Sequence, residues 1–477
     1  IEAVDATDGS PLGEYRRPVV DHIATLACAN RNATLHKDQL IIATMDAYLV
    51  SLNARTGEVT WERQVGDWTV GQHYSGGPQV FDGKIITGMS GCYYINTGCW
   101  ITAHDADTGE ELWRTNTVPK IGEPGGETWG DLPNELRRGG SAWMPASYDA
   151  ELNLIFMGVA VPIPWGSIQR DTRGGDVLYT NSTLALNADT GEIDWYYQHL
   201  PCDDWDQDFV QERTLIDTVV NPDPEAVRWI NPKLTGTADE RKVVVVLGEP
   251  GGLFVNDRET GEFLWATPLP YTDTDRFVIR DIDVETGSVY INMDLVAREV
   301  GQRFVICGHN VKGWWSWSYS PVTGLLYIPI NRSCLDQTTN DRTISGASPR
   351  FTIPEPGLEE DGHLTEVRAL DISTGREAWR YSQRAPNMGS TLATAGNVVF
   401  FGDLNRRLRA FDAETGTVLW ETILGSQITG YPVTYAVGGR QYLTVPVGGV
   451  DNRLATYTPE LEAPNGSNML VTFALPN

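Results

Sequence analysis

The sequence predicts an all-β fold: a closed array of repeated β-hairpin units forming one domain over residues 1–477. Three observations carry this. First, one phrase recurs along the chain: a small residue, a bulky one, Asp or Asn, two further residues, then Thr-Gly. In six copies a Trp follows the Gly by four residues, and such a period marks a repeat architecture. Second, 48 Gly and 27 Pro suit short strands cut by many turns. Third, no apolar run reaches the roughly 18 residues that would span a membrane.

The clearest copies are Ala103-His104-Asp105-Ala106-Asp107-Thr108-Gly109 with Trp113, and Ala410-Phe411-Asp412-Ala413-Glu414-Thr415-Gly416 with Trp420. Others run from Asn53 to Trp61, Asn187 to Trp195, Asp257 to Trp265 and Asp371 to Trp379. Asp or Asn accepts backbone N–H bonds in such a turn, and Gly takes the positive φ. A strand on each side makes a hairpin, which is marginal alone and must pack on its neighbours. The Trp side chains are read as packing keys between units. In Val367-Arg368-Ala369-Leu370, Arg368 is expected to face outward.

In chain order, residues 1–20 open inside a worn copy, Ala3 to Gly9, without a Trp. The strands that should precede it are expected to be missing from this chain or supplied by a second polypeptide. Residues 21–120 hold two units. Residues 121–180 form a long insertion leading through Gly139-Gly140-Ser141-Ala142-Trp143 to the strand Leu154-Ile155-Phe156-Met157. Residues 215–300 hold another unit and an Asp-rich loop. Residues 335–365 read as loop, and two tight units follow. The run Met469-Leu470-Val471-Thr472-Phe473-Ala474-Leu475 is a closing strand, expected to complete the first sheet so that the chain ends meet.

The formal charge of −27 makes nucleic acid a poor partner and suits either plain solubility or steering of a basic protein. None of the six cysteines forms Cys-x-x-Cys, so neither zinc spacing nor c-type haem attachment is present. Cys92 with Cys99 and Cys307 with Cys334 could form local disulfides in an oxidising compartment; buried free thiols are the alternative.

Two stretches could carry chemistry. Asp203, Asp204, Asp206 and Asp208 form the densest acidic run, beside Cys202 and Trp205. Such carboxylates cannot all stay ionised in a dry site without a cation, and one released from that duty could act as a base. A solvated turn is the plainer reading. Trp143 lies outside the repeat phrase, behind two glycines that let backbone approach a ligand, so its indole could carry a flat ring or simply pack in the core. No nucleotide or hydrolase fingerprint accompanies them.

With these motifs in hand, the chain resembles the quinoprotein alcohol dehydrogenases that depend on pyrroloquinoline quinone (PQQ). The shared text includes the Trp turns, Gly122-Glu123-Pro124 with Glu127-Thr128-Trp129, Gly140-Ser141-Ala142-Trp143 with Tyr148-Asp149, and Asp203-x-Trp205-Asp206-x-Asp208. It continues through Leu392-Ala393-Thr394-Ala395-Gly396 and Gly439-Arg440-Gln441-Tyr442. The resemblance implies an eight-bladed β-propeller with PQQ near its axis. It places Trp143 under the quinone and makes Asp206 the catalytic base. Asp206 and Asp208 become metal ligands for Ca²⁺ or a lanthanide, and Ser75, Ser90, Gly91 and Ser141 cofactor contacts. Cys307–Cys334 becomes a structural disulfide. Asp206 would take the hydroxyl proton, hydride would go to the quinone C5, and the metal would polarise that carbonyl. A small or polymeric alcohol, a separate cytochrome c and a periplasmic location are expected to go with it.

The chain also departs from that pattern. The metal-binding Glu falls at Tyr93 or Tyr94, the Asn ligand at Val161, and a neighbouring Arg at Thr97. The cation that reaches the quinone oxygens falls at Glu249, and a cysteine pair is reduced to Cys28. These losses leave two alternatives: a redox-inactive propeller serving as a binding or scaffold subunit, and an enzyme on the same ring using another metal or cofactor.

Overall fold

In the computed structural model, residues 1–18, 31–94, 96, 98–172, 174–234, 236, 238–270, 275–341, 347–358, 362–449, 451–461 and 468–476 are described. Cys28 and Thr97 lie outside them. Antiparallel sheets follow one another along the chain, most of them meanders, which is the topology of a propeller. The hairpin Glu2–Val4 with Pro11–Glu14 comes first. Four-stranded sheets follow, from Thr34–His36 to Val59–Gln64, from Gln79–Phe81 to Glu111–Asn116, and from Ser147–Asp149 to Ile193–Gln198. A five-stranded sheet begins at Thr214–Val220 and ends on Phe263–Pro268 with Trp229–Ile230 at its edge. Two more four-stranded sheets start at Ser318–Ser320 and Thr391–Ala393, and a three-stranded sheet closes the chain.

The repeated phrase does what its residues dictate. Asp105 Oδ1 accepts the N–H groups of Asp107 (3.0 Å) and Thr108 (2.8 Å), while Gly109 donates to Asp105 O (2.8 Å) at φ 73°. Four of the turns then seat directly on the Trp of the preceding unit, at Gly109, Gly191, Gly261 and Gly416. A Cβ on Gly109 would lie 2.6 Å from Trp61, one on Gly191 2.4 Å from Trp113, and one on Gly416 2.6 Å from Trp379. Indole N–H groups complete the lock: Trp113 donates to Ala188 O (3.0 Å) and Trp379 to Ala413 O (2.8 Å), both in the following unit. Trp61, Trp113, Trp195, Trp265 and Trp379 are accordingly at most 9 % exposed. Trp420 is 39 % exposed, because no turn glycine among the described residues seats on it.

Several expectations are corrected. The stretch read as loop over 335–365 carries the strands Ser333–Thr339 and Ala347–Pro354, which pair with each other and with Arg303–Cys307. Their alternation is polar, so it resembles loop in composition. Arg368 does not face outward: it is buried, 2.6 Å from Glu366 and 3.5 Å from Glu377. The closing strand Met469–Ala474 pairs with Arg440–Val447 in the last sheet instead of completing the first. The chain ends do approach, since Tyr435 donates its hydroxyl to Ala6 O (2.9 Å). The Asp-rich stretch of 215–300 hides a further turn of the same kind, Asp283 to Gly287, whose Gly carbonyl accepts from Tyr197 Oη (2.6 Å). Cys92–Cys99 and Cys307–Cys334 are disulfides, and Cys202 is a buried free thiol.

Candidate active site

The acidic run after the turn at Asn187 separates into two structural and two chemical residues. Asp203 is fully buried, and its carboxylate accepts from the backbone of Trp205 (2.6 Å), Asp206 (3.0 Å) and Gln207 (2.8 Å) and from Asn181 Nδ2 (2.8 Å). Asp204 accepts from the N–H groups of Ser167 and Ala297. These two carboxylates hold the loop together and are not available to a cation, so the expectation of a four-acid cluster is corrected. The loop they shape places Asp206 at φ 66°, a left-handed conformation rare for a residue with a side chain.

Asp208 is joined directly to the tryptophan that the sequence singled out. Trp143 Nε1 donates to Asp208 Oδ2 (3.0 Å), and Val161 N donates to Asp208 Oδ1 (3.1 Å). Burial pushes the Asp208 carboxyl well above the usual range, and the Asp206 charge adds to it, against the two hydrogen bonds. Glu249 is raised in the same way by burial and by the Asp208 and Asp206 charges. Asp206 is pushed up to about 6 by burial; Arg350 opposes the rise. Arg350 Nη1 stands 3.2 Å from Asp206 Oδ2, and Nη2 donates to Trp205 O (2.8 Å). Among the described residues no donor reaches Asp206 Oδ1, which leaves that oxygen open to a substrate proton.

The other expected contacts lie close by with differing roles. Ser75 Oγ and Ser90 Oγ share a hydrogen bond (3.1 Å), and Ser141 Oγ lies 3.6 Å from Cys99 Sγ of the disulfide. Gly91 is required by packing: at φ 75° its Cβ would meet Gly71 O at 2.0 Å. Ser141 and Trp143 are held by backbone bonds into neighbouring strands, Ala142 N to Met89 O (3.0 Å) and Ala160 N to Ser141 O (2.8 Å).

Sequence reasoning missed three arginines that carry the site's positive charge. The Arg31 guanidinium lies 4.8 Å from the Trp143 ring and 5.8 Å from the Trp314 ring, and Nη1 donates to Ser75 O (2.7 Å). Its Nε is buried without a partner, and no carboxylate among the described residues pairs with it. The Arg453 guanidinium lies 5.8 Å from the Trp314 ring. Arg350 is the third. None belongs to a motif; only a tertiary structure brings them together.

PQQ is a flat quinone bearing carboxylates, so it calls for aromatic faces and cations that lack their own anions. Trp143 and Trp314 with Arg31 fit that demand; the cavity of about 320 Å³ beside Arg31 is lined by Met144, Glu212 and Tyr431 and not by Trp143, Asp206 or Asp208. A hard metal ion calls for converging oxygen donors. Here the fit fails: Val161 brings an N–H aimed at Asp208, Arg350 holds Asp206, and among the described residues no three acids, His or Cys converge as ligands.

Comparison with known proteins agrees with this geometry. The family model for the PQQ glucose/ethanol/alcohol dehydrogenase β-propeller domain matches residues 1–269 and 382–443. The quinoprotein alcohol dehydrogenase PedH of Pseudomonas putida is 34 % identical over 507 residues, covering 99 % of this chain and 80 % of that one. The quinoprotein ethanol dehydrogenase of Pseudomonas aeruginosa is 32 % identical, with 94 % of this chain and 75 % of that one covered. The solved quinohemoprotein alcohol dehydrogenase ADHIIG of Pseudomonas putida HK5 superposes with a TM-score of 0.85 at 29 % identity, over 99 % of this chain and 70 % of that one. The family model's match over most of the chain and the identity to PedH over nearly its whole length show that this chain belongs to the PQQ-dependent quinoprotein alcohol dehydrogenases.

Proposed function

We propose that this chain oxidises an alcohol in the periplasm with PQQ held against Trp143, and passes the electrons to a separate cytochrome c. The observation that carries the reading is the hydrogen bond from Trp143 Nε1 to Asp208 Oδ2, which puts an aromatic floor and an acidic wall in one place. The eight-bladed ring is part of the same proposal: the hairpin 2–14, the six sheets of four or five strands and the three-stranded sheet that closes the chain would each be one blade.

PQQ, when bound, supplies the two-electron acceptor that takes a hydride equivalent from the carbinol carbon, so alcohol becomes carbonyl and quinone becomes quinol. The chain does the rest. Arg350 holds Asp206 by Oδ2, which leaves Oδ1 to accept the alcohol proton. Arg31, with no carboxylate of its own, is placed to neutralise a cofactor carboxylate. Trp143 is fixed in plane by Asp208, which keeps the floor flat for stacking. A propeller that had abandoned redox chemistry would have no evident use for a guanidinium beside that floor with no carboxylate partner among the described residues, which counts against the scaffold alternative.

The test is reconstitution with PQQ followed by dye reduction with primary and secondary alcohols. The expected outcome is a quinone absorption band and alcohol-dependent turnover. Asp206→Asn is expected to lower turnover by roughly 10²–10⁴-fold with the circular dichroism spectrum unchanged. Wild-type turnover in that variant would remove Asp206 as the base.

A further inference from the structure

The site disagrees with the metal that its resemblance implies, and the disagreement has a pattern. Two positions expected to bind the metal hold other groups, Tyr93 a half-buried phenol and Val161 an N–H donor, and Glu249 is an acid where a side-chain cation is expected to reach the quinone. Charge is conserved in a different way. Arg350 enters from the strand Ala347–Pro354, whose partner Ser333–Thr339 is tied through Cys334 to Cys307. Its guanidinium meets Asp206 at 3.2 Å, donates to Trp205 O at 2.8 Å and lies 4.6 Å from the Trp165 ring. Four features thus fix one side chain: a disulfide-braced hairpin, an ion pair, a carbonyl and an aromatic face.

We propose that Arg350 replaces the metal ion, so that this site assembles around its quinone with no Ca²⁺ or lanthanide. The proposal rests on the PQQ reading above for its cofactor and on the geometry alone for the exclusion of metal. A guanidinium offers fixed N–H donors to a carboxylate and to oxygen atoms of a bound ligand, and it needs no oxygen cage. A divalent or trivalent ion on Asp206 would sit against that guanidinium and be repelled by it; Val161 offers no side-chain oxygen, and both oxygens of Asp208 already accept N–H bonds, from Trp143 and Val161. Arg350 is therefore a positioning residue: it acts through Asp206, holding Oδ2 and leaving Oδ1 free.

Two measurements separate this proposal from the reading it rests on. The first uses Tb³⁺ alone, excited through indole, on the chelator-treated full chain. Wild type is expected to give no stoichiometric sensitised emission, whereas Arg350→Gln is expected to gain a site that Asp208→Asn removes. One Tb³⁺ per wild-type chain, lost on Asp208→Asn, overturns the proposal whatever the quinone does. The second is PQQ binding followed by Trp fluorescence quenching. In wild type the Kd is expected to agree within twofold between EDTA and added Ca²⁺ or La³⁺. Arg350→Gln is expected to weaken binding in EDTA at least tenfold, with recovery on adding La³⁺, and Arg350→Lys to retain most of the affinity. A tenfold gain by wild type on adding metal, or an unaltered Arg350→Gln, overturns the proposal. If PQQ binds under no condition, the dehydrogenase reading fails, and the Tb³⁺ result still decides whether Arg350 bars a metal.

Discussion

Burial and Arg350 pull the Asp206 carboxyl in opposite directions, and the outcome of about 6 sets how the enzyme should respond to pH. A general base works only when deprotonated. Asp206 is mostly ionised at pH 7 and mostly protonated at pH 5, so kcat/KM is expected to fall as pH drops through about 6 and to level off above it. A profile flat from pH 5 to 8 would assign the proton to another group. Glu249 gives a stability prediction of definite sign. Its folded carboxyl is raised above its unfolded value by burial and by Asp208 and Asp206, so its ionised form opposes folding at neutral and higher pH. The penalty vanishes once pH falls below the unfolded value of about 4.3. Glu249→Gln should therefore stabilise the cofactor-free chain by on the order of 1 kcal/mol at pH 8, and by little at pH 4. Thermal midpoints at the two pH values check it; an equal shift at both would mean that charge is not the cause.

The turn–Trp unit explains why so much of the fold was legible from residues alone. Asp, Thr and Gly each have a local task in the turn, and the Trp four residues on has one neighbouring turn to cover, so the pattern survives in the sequence. Asp206, Asp208 and Trp143 were legible for a similar reason: they sit in short motifs. Arg31, Arg350 and Arg453 were not, because their function arises from long-range approach, and the strand that carries Arg350 has the composition of a loop. The unit also separates backbone from packing. Gly57 and Gly191 share nearly the same φ, 74° and 73°, but a Cβ on Gly57 meets nothing within 4 Å whereas one on Gly191 falls 2.4 Å from Trp113. Gly57→Ala is expected to cost roughly 1–2 kcal/mol, the left-handed strain alone. Gly191→Ala should add an overpacking cost of about 1–3 kcal/mol. Urea midpoints with unchanged slope would measure the difference, and equal losses would show that the Trp seat yields freely.

Over the whole molecule, 63 acidic side chains outnumber 36 basic ones, and the excess of −27 acts at distances where no single contact does. Charge of one sign serves solubility in any protein, so its presence alone does not identify a partner. Its rate effect can. If the electrons leave to a basic cytochrome, encounter is accelerated by the field and slowed as salt shortens the Debye length from about 30 Å at 0.01 M to about 10 Å at 0.1 M. Turnover limited by a basic cytochrome should then fall roughly tenfold or more across that range, while turnover with an uncharged dye stays level, since the dye feels no net attraction and the buried chemistry at Asp206 is screened little. The pairing of acceptors matters: a decline with both would place the salt effect inside the site, on the Arg350–Asp206 pair, and a decline with neither would leave the charge with no part in electron transfer.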